Sequence, residues 1–94
     1  MYLSRDGDQL LVDCQADRLS HLRSRFVVPL MPPATIPDRV APLHPEFAVG
    51  GETLILATHL ASAVSVSELG EHVAILDDDD YRIITALDTL IGTA

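Results

Sequence analysis

Apolar and polar positions come in short blocks of three to six residues up to about residue 70, and the spacing becomes helical only near the C-terminus. The chain opens with Met1–Ser4, then Arg5-Asp6-Gly7-Asp8, then the apolar Leu10–Val12. Asp-Gly between two extended segments is a hairpin signal, because glycine takes the positive φ that tight turns require. Gln15–Ser24 is polar and predicts a loop. Arg25–Leu30 is β-branched and apolar, and Pro29 is expected to end that strand because proline cannot donate to a ladder. Pro32, Pro33, Pro37, Pro42 and Pro45 follow, which excludes a helix there and imposes extended or turn conformations. Phe47–Val49 and Thr53–Leu56 flank Gly50-Gly51, a loop suited to a mirror-image turn. Ala63–Ser67 alternates with period two and reads as a half-buried strand, closed by Leu69-Gly70.

The last fifth differs in kind. Ile83, Ile84, Leu87, Leu90 and Ile91 recur at i, i+1, i+4, i+7 and i+8, a stripe on one face of a helix of roughly four turns. Asp77–Asp80 precede it, where negative charge suits the helix dipole and an aspartate can cap free N–H groups; Gly92 is a natural stop. The acidic run is therefore read as a capping device. Calcium would need ligands spread around a loop, and four adjacent acids lack that spacing. The pattern as a whole predicts a mainly β fold of the β+α kind: five to seven short antiparallel strands in a small barrel or bent sheet, with one C-terminal helix.

Composition sharpens this picture. The 94 residues make one domain (1–94), and a chain so short buries only about 60–65 % of its unfolded surface. Covering an apolar face by dimerisation would extend such a core. Four residues are Phe or Tyr and none is Trp, so the core is aliphatic. No apolar run approaches a membrane span, and the N-terminus lacks a secretory pattern. A single cysteine, Cys14, fits a reducing cytoplasm and reads as a small buried apolar residue. Six arginines, no lysine and fourteen acids give a net charge of −8, which repels phosphate backbones and argues against direct nucleic-acid binding. Arg18, Arg23 and Arg25 can form one small patch, read as solubility plus an ion pair with Asp13 or Asp17.

Catalytic chemistry is missing from the pattern. His21, His44, His59 and His72 show no helical i,i+4 pair, and with one cysteine they make no zinc motif. Thr58-His59 sets a hydroxyl beside an imidazole, with nothing in the sequence to orient either. Gly50-Gly51 is not a phosphate loop, because no helix follows it at once. These residues lead to a small acidic cytoplasmic β-rich domain that works by binding another protein.

Six segments carry a resemblance to a known family. Val12-Asp-Cys-Gln-Ala-Asp17 resembles the Asp-Val-Gln-Ser-Asp segment of the CcdB toxins, and Arg25-Phe-Val-Val-Pro-Leu30 resembles their Arg-Leu-Val-Val-Pro-Leu strand. Leu43-His-Pro-Glu-Phe47, Leu56-Ala-Thr-His59, Ala63–Gly70 and Ile83–Asp88 with Leu90-Ile91 continue the match in order. The resemblance implies an SH3-like barrel of the CcdB/MazF kind that forms a homodimer. It implies a toxin that binds the breakage–reunion subunit of DNA gyrase, GyrA, traps the cleaved gyrase–DNA complex, and is neutralised by a CcdA-type antitoxin. It implies no catalytic residue, and places gyrase contact on Ala16, Arg18 and Leu19 of the first loop and on Asp88, Ile91, Gly92, Thr93 and Ala94 of the helix end. Family members end in Trp-Gly-Ile or Thr-Gly-Ile where this chain has Gly-Thr-Ala. Two alternatives follow: a relative that binds antitoxin without poisoning gyrase, or an endoribonuclease on the MazF-like barrel.

Overall fold

The computed structural model describes residues 2–4, 7, 9–72 and 81–92. Seven strands form one antiparallel sheet: β1 (Tyr2–Ser4), β2 (Leu10–Asp13), β3 (Ser24–Met31), β4 (Glu46–Val49), β5 (Glu52–Leu56), β6 (Ser62–Ser65) and β7 (Leu69–His72). One helix, α1 (Tyr81–Ile91), closes the described chain. The spatial order is β4-β5-β3-β2-β1-β7, with β6 also on β3. Of the two forms expected, barrel or bent sheet, the structure has the open one.

β3 organises the sheet because it has more length than any single partner. Its C-terminal half pairs with β2 on one edge, from Val27↔Asp13 to Leu30↔Leu10. On the other edge its first half pairs with β6 (Ser24↔Ser65 to Val27↔Ser62) and its last residues pair with β5 (Leu30↔Leu56, Met31↔Ile55). This explains why Pro29 lies inside the strand and does not end it. The Pro29 carbonyl accepts from the Ala57 amide at 2.8 Å, so its nitrogen faces the same edge, at the gap between β5 and β6. A 3₁₀ turn, Thr58–Leu60, occupies that gap, and the missing proline donor leaves no ladder bond unmade.

Each turn follows from local chemistry. β4 and β5 are joined by Gly50 and Gly51 at φ 58° and 83°, with Val49 opposite Glu52: a two-residue mirror-image hairpin as expected. β1 and β2 pair as expected across a longer connection that contains Gly7 at φ 81°. Within the proline-rich segment one 3₁₀ turn, Pro33–Thr35, forms although helix was excluded; a proline in the first turn costs no hydrogen bond there. Ser62–Ser65 is the strand predicted at Ala63–Ser67, but Ser62, Ala63 and Ser65 are exposed, and Val66–Glu68 coils into another 3₁₀ turn. Leu69-Gly70 does not close that element: it begins β7, which returns to β1. Gln15–Ser24 is loop only in part, since Asp17–Leu19 is a 3₁₀ turn.

Both faces of β5 are covered, which is why Leu54–Ala57 is apolar without alternation. Leu54 and Leu56 face the main core with Val12, Val28, Leu30, Phe47, Ile83 and Ala86. Ile55 and Ala57 face the opposite side, where Ile36 of the proline-rich segment and Met31 cover them. Helix α1 buries Ile83 and Ala86 and half-buries Leu87, while Ile84 and Ile91 stay 58 % and 69 % exposed. The helix has 11 residues, about three turns, shorter than the stripe predicted. Gly92 at φ 80° ends it as expected, and Asp77–Asp80 lie outside the described residues.

Candidate protein-binding site

The first loop is built from Asp13 outward. Asp13 ends β2, and its Oδ2 receives Arg25 Nη2 at 2.6 Å and Nε at 2.9 Å from the neighbouring strand. The other carboxylate oxygen accepts from the Gln15 amide at 3.0 Å. Gln15 then serves both ends of the loop: its Oε1 accepts from the Phe26 amide at 2.9 Å, and its Nε2 donates to the Leu19 carbonyl at 2.9 Å. These bonds hold the Asp17–Leu19 3₁₀ turn with Ala16 extended just before it. Ala16, Arg18 and Leu19, the loop residues expected to contact a partner, are all exposed there, Leu19 at 39 %. The ion pair expected of the arginine patch is therefore Arg25 with Asp13, leaving Arg18 and Arg23 exposed on the surface.

The second group sits at the end of α1. Asp88 is half-buried, Ile91 is 69 % exposed and Gly92 is exposed; Thr93 and Ala94 lie outside the described residues. Thr89 turns its hydroxyl back to the Thr85 carbonyl at 2.8 Å, and the Gly92 amide bonds the Thr89 carbonyl at 3.3 Å. The two groups rest on one core. Cys14, at the root of the loop, and Leu87, one residue before Asp88, both pack against it, whereas no described member of either group belongs to it. The two groups are thus the ends of separate elements, each beside a residue that packs against the same core.

Cys14, expected to be a small buried residue, is partly buried and packs against the core. Its amide donates to the Phe26 carbonyl at 2.8 Å, and burial, helped by Asp13, pushes its thiol up to about 12. A neutral thiol there contributes packing and no nucleophile.

One constellation escaped the sequence. His44 Nε2 lies 2.9 Å from His59 Nδ1, with the rings edge-on at 4.9 Å between centroids. His44 is 8 % exposed and its Nδ1 accepts from the Val40 amide at 3.0 Å. Burial first, then His59 and Arg39, hold its imidazole below the ordinary value. Fifteen residues separate the two, so spacing alone gives no sign. The signal was the Gly50-Gly51 turn, which places one histidine before β4 and the other after β5, at the open end of the same hairpin. Beside His44 runs a groove of about 510 Å³ lined by Arg39, Pro42, Pro45, Tyr81 and Arg82 among others. Arg82 is turned inward, 4.2 Å above the Phe47 ring and 2.8 Å from the Glu46 carbonyl. No group of three or more potential metal ligands gathers among the described residues. No helix among them is long and apolar enough to cross a membrane.

No curated protein matches the chain. The model of the CcdB protein family matches residues 2–92, from the first strand through the helix and its glycine stop. With nearly the whole chain inside that match, and the mainly β sheet and terminal helix in place, the chain belongs to the CcdB family, the toxin side of toxin–antitoxin pairs.

Proposed function

We propose that this chain poisons DNA gyrase: as a homodimer in the cytoplasm it binds the GyrA subunit of DNA gyrase, holds the enzyme in its cleaved complex with DNA, and is released by a CcdA-type antitoxin. The observation that carries the reading is the family match across residues 2–92. The toxin acts as one domain over residues 1–94, by occupation alone, with no bond made or broken by its own side chains and no cofactor. A net charge of −8 suits a protein target better than a phosphate backbone, so DNA enters the complex through gyrase.

Two exposed apolar residues at the site's two ends, Leu19 and Ile91, are the anchors we assign, with Ala16, Arg18, Asp88, Gly92, Thr93 and Ala94 around them. Interface energy concentrates in a few apolar side chains that become fully covered. Ile91→Asp on an exposed helix end leaves the core untouched and sets a charge where a dry contact is needed. In a supercoiling and DNA-cleavage assay with gyrase from the same host, the wild-type chain is expected to accumulate linear DNA after detergent and protease treatment. Ile91→Asp is expected to need at least tenfold more protein, about 1.4 kcal/mol or more of lost binding. Undisturbed supercoiling at high excess of wild type would refute the poison reading. The chain would then stand as an antitoxin-binding relative whose Gly-Thr-Ala end has lost the gyrase contact.

A further inference from the structure

We propose that His44 and His59 form an acid-released latch, which holds the proline-rich segment against the open end of the β4–β5 hairpin and lets it go when an imidazole takes up a proton.

The hydrogen-bond directions define the latch. A backbone amide can only donate, so the 3.0 Å contact from Val40 N–H makes His44 Nδ1 an acceptor. In a neutral ring the proton then resides on Nε2, which donates to His59 Nδ1 at 2.9 Å. His59 carries its own proton on Nε2. The chain of bonds thus runs Val40 N–H to His44 to His59 and has one polarity. A proton added at His44 Nδ1 faces the Val40 N–H, and a proton added at His59 Nδ1 faces the His44 N–H. Either leaves two donors opposed with no acceptor between them.

The same geometry argues against a metal. Binding a cation through His44 Nε2 would require the proton on Nδ1, against the Val40 amide. The pair is therefore a hydrogen-bonded unit. Its neighbours fit that account. Arg39, on the latched segment, opposes proton uptake by His44. From the other elements, Glu46 at the start of β4 and Tyr81 and Arg82 of α1 line the same groove, with Arg82 bonded to the Glu46 carbonyl. What the latch holds is substantial: the segment carries Ile36, which covers Ile55 and Ala57 on the second face of the sheet.

The sign of the pH dependence follows from which state holds the proton more tightly. His44 sits below its ordinary 6.5 in the closed chain and returns to it when the segment opens. The open state binds the proton first as pH falls. The latch is therefore at full strength above pH 6.5 and weakens between that value and the midpoint of His44 in the closed chain.

Amide hydrogen exchange at Val40, corrected for intrinsic rates and followed from about pH 8 to about pH 5, tests this in the full chain. Protection is expected to fall as pH drops below the ordinary imidazole value, with a slope of at most one proton, about tenfold per pH unit. In His44→Gln that slope is expected to vanish. Long-range ¹⁵N spectra of the wild type near pH 8 supply a measurement independent of any variant's folding, and should show His44 neutral with its proton on Nε2. Flat protection in the wild type, an unchanged slope in His44→Gln, or His44 protonated on Nδ1 would each overturn the latch. Stoichiometric zinc that shifts both rings would replace it with a metal site.

Discussion

Removing the Asp13 carboxylate should loosen the first loop and destabilise the whole sheet, by an amount that the structure bounds. Asp13 accepts two hydrogen bonds, one from Arg25 Nε and one from the Gln15 amide, and pairs with Arg25 Nη2 at 2.6 Å; the paired side chains are only 14 % and 13 % exposed. A bond to a charged group contributes about 1.5–3 kcal/mol and a neutral one about 1. The Arg25 hydrogen bond and the ion-pair contact fall on the same oxygen and some water can enter, so the contributions are not additive. The larger penalty is the Arg25 guanidinium left without its anion; removing one partner of a fully buried pair costs about 3–5 kcal/mol, and the residual exposure here places the loss nearer 3. Asp13→Ala is thus expected to lower the unfolding free energy by about 3 kcal/mol, a fall of roughly 12–24 °C in Tm for a chain of this size. Asp13→Asn keeps the size and one acceptor oxygen while losing the charge, so about half that loss is expected. Urea denaturation followed by circular dichroism measures both variants. Pairing them with Arg25→Gln in a double-mutant cycle isolates the coupling, expected at about 1.5–3 kcal/mol. An Asp13→Ala variant within about 0.5 kcal/mol of wild type would refute the reasoning, because that is the range of substitutions at ordinary surface sites.

Three further outcomes follow from single residues. With its thiol pushed up to about 12 from 9.0, Cys14 should react with a disulfide reagent near pH 8 roughly a thousandfold more slowly than a free cysteine, and reach the free rate only in urea. Ile83→Ala should cost about 2–4 kcal/mol in urea melts, whereas the adjacent Ile84→Ala, at a site 58 % exposed, should cost less than about 1; equal losses would misplace the helix face. Gly51→Val, at φ 83°, should cost about 1–2 kcal/mol, while Gly50→Asn should be tolerated because asparagine accepts the left-handed region.

The sequence was most legible where one residue type decides one local conformation. Gly50-Gly51 determined a hairpin and its register, and Gly92 marked the end of a helix, because positive φ leaves few alternatives. It was least legible where tertiary partners decide. Pro29 looked like a strand end by its own chemistry, and only the gap between β5 and β6 lets it stay inside β3. The period-two pattern of Ala63–Ser67 promised a buried face, but β6 pairs along one edge of β3, and of its residues Val64 alone is partly covered. The helical stripe promised one apolar face to the core, and the structure buries Ile83 and Ala86 while leaving Ile84 and Ile91 to solvent.

That last departure bears directly on function. A stripe wider than the core beneath it leaves apolar area over, and on α1 the surplus lies at Ile84 and Ile91, with Leu90 between them at 41 % exposure. Such positions add little to folding, and exposed apolar residues are ordinary on a protein surface, so their exposure makes them available to a partner without assigning one. The first loop has the complementary property. Its exposed Leu19 is presented by a turn that Gln15 ties at both ends, so the side chain is held in place before any partner arrives. Rigid presentation lowers the ordering cost of binding. Binding by such a surface needs no catalytic group, only apolar side chains held outward on fixed elements. Of the residues that weaken the amphipathic reading of the helix, Ile91 is the one we propose as an anchor for the toxin's partner.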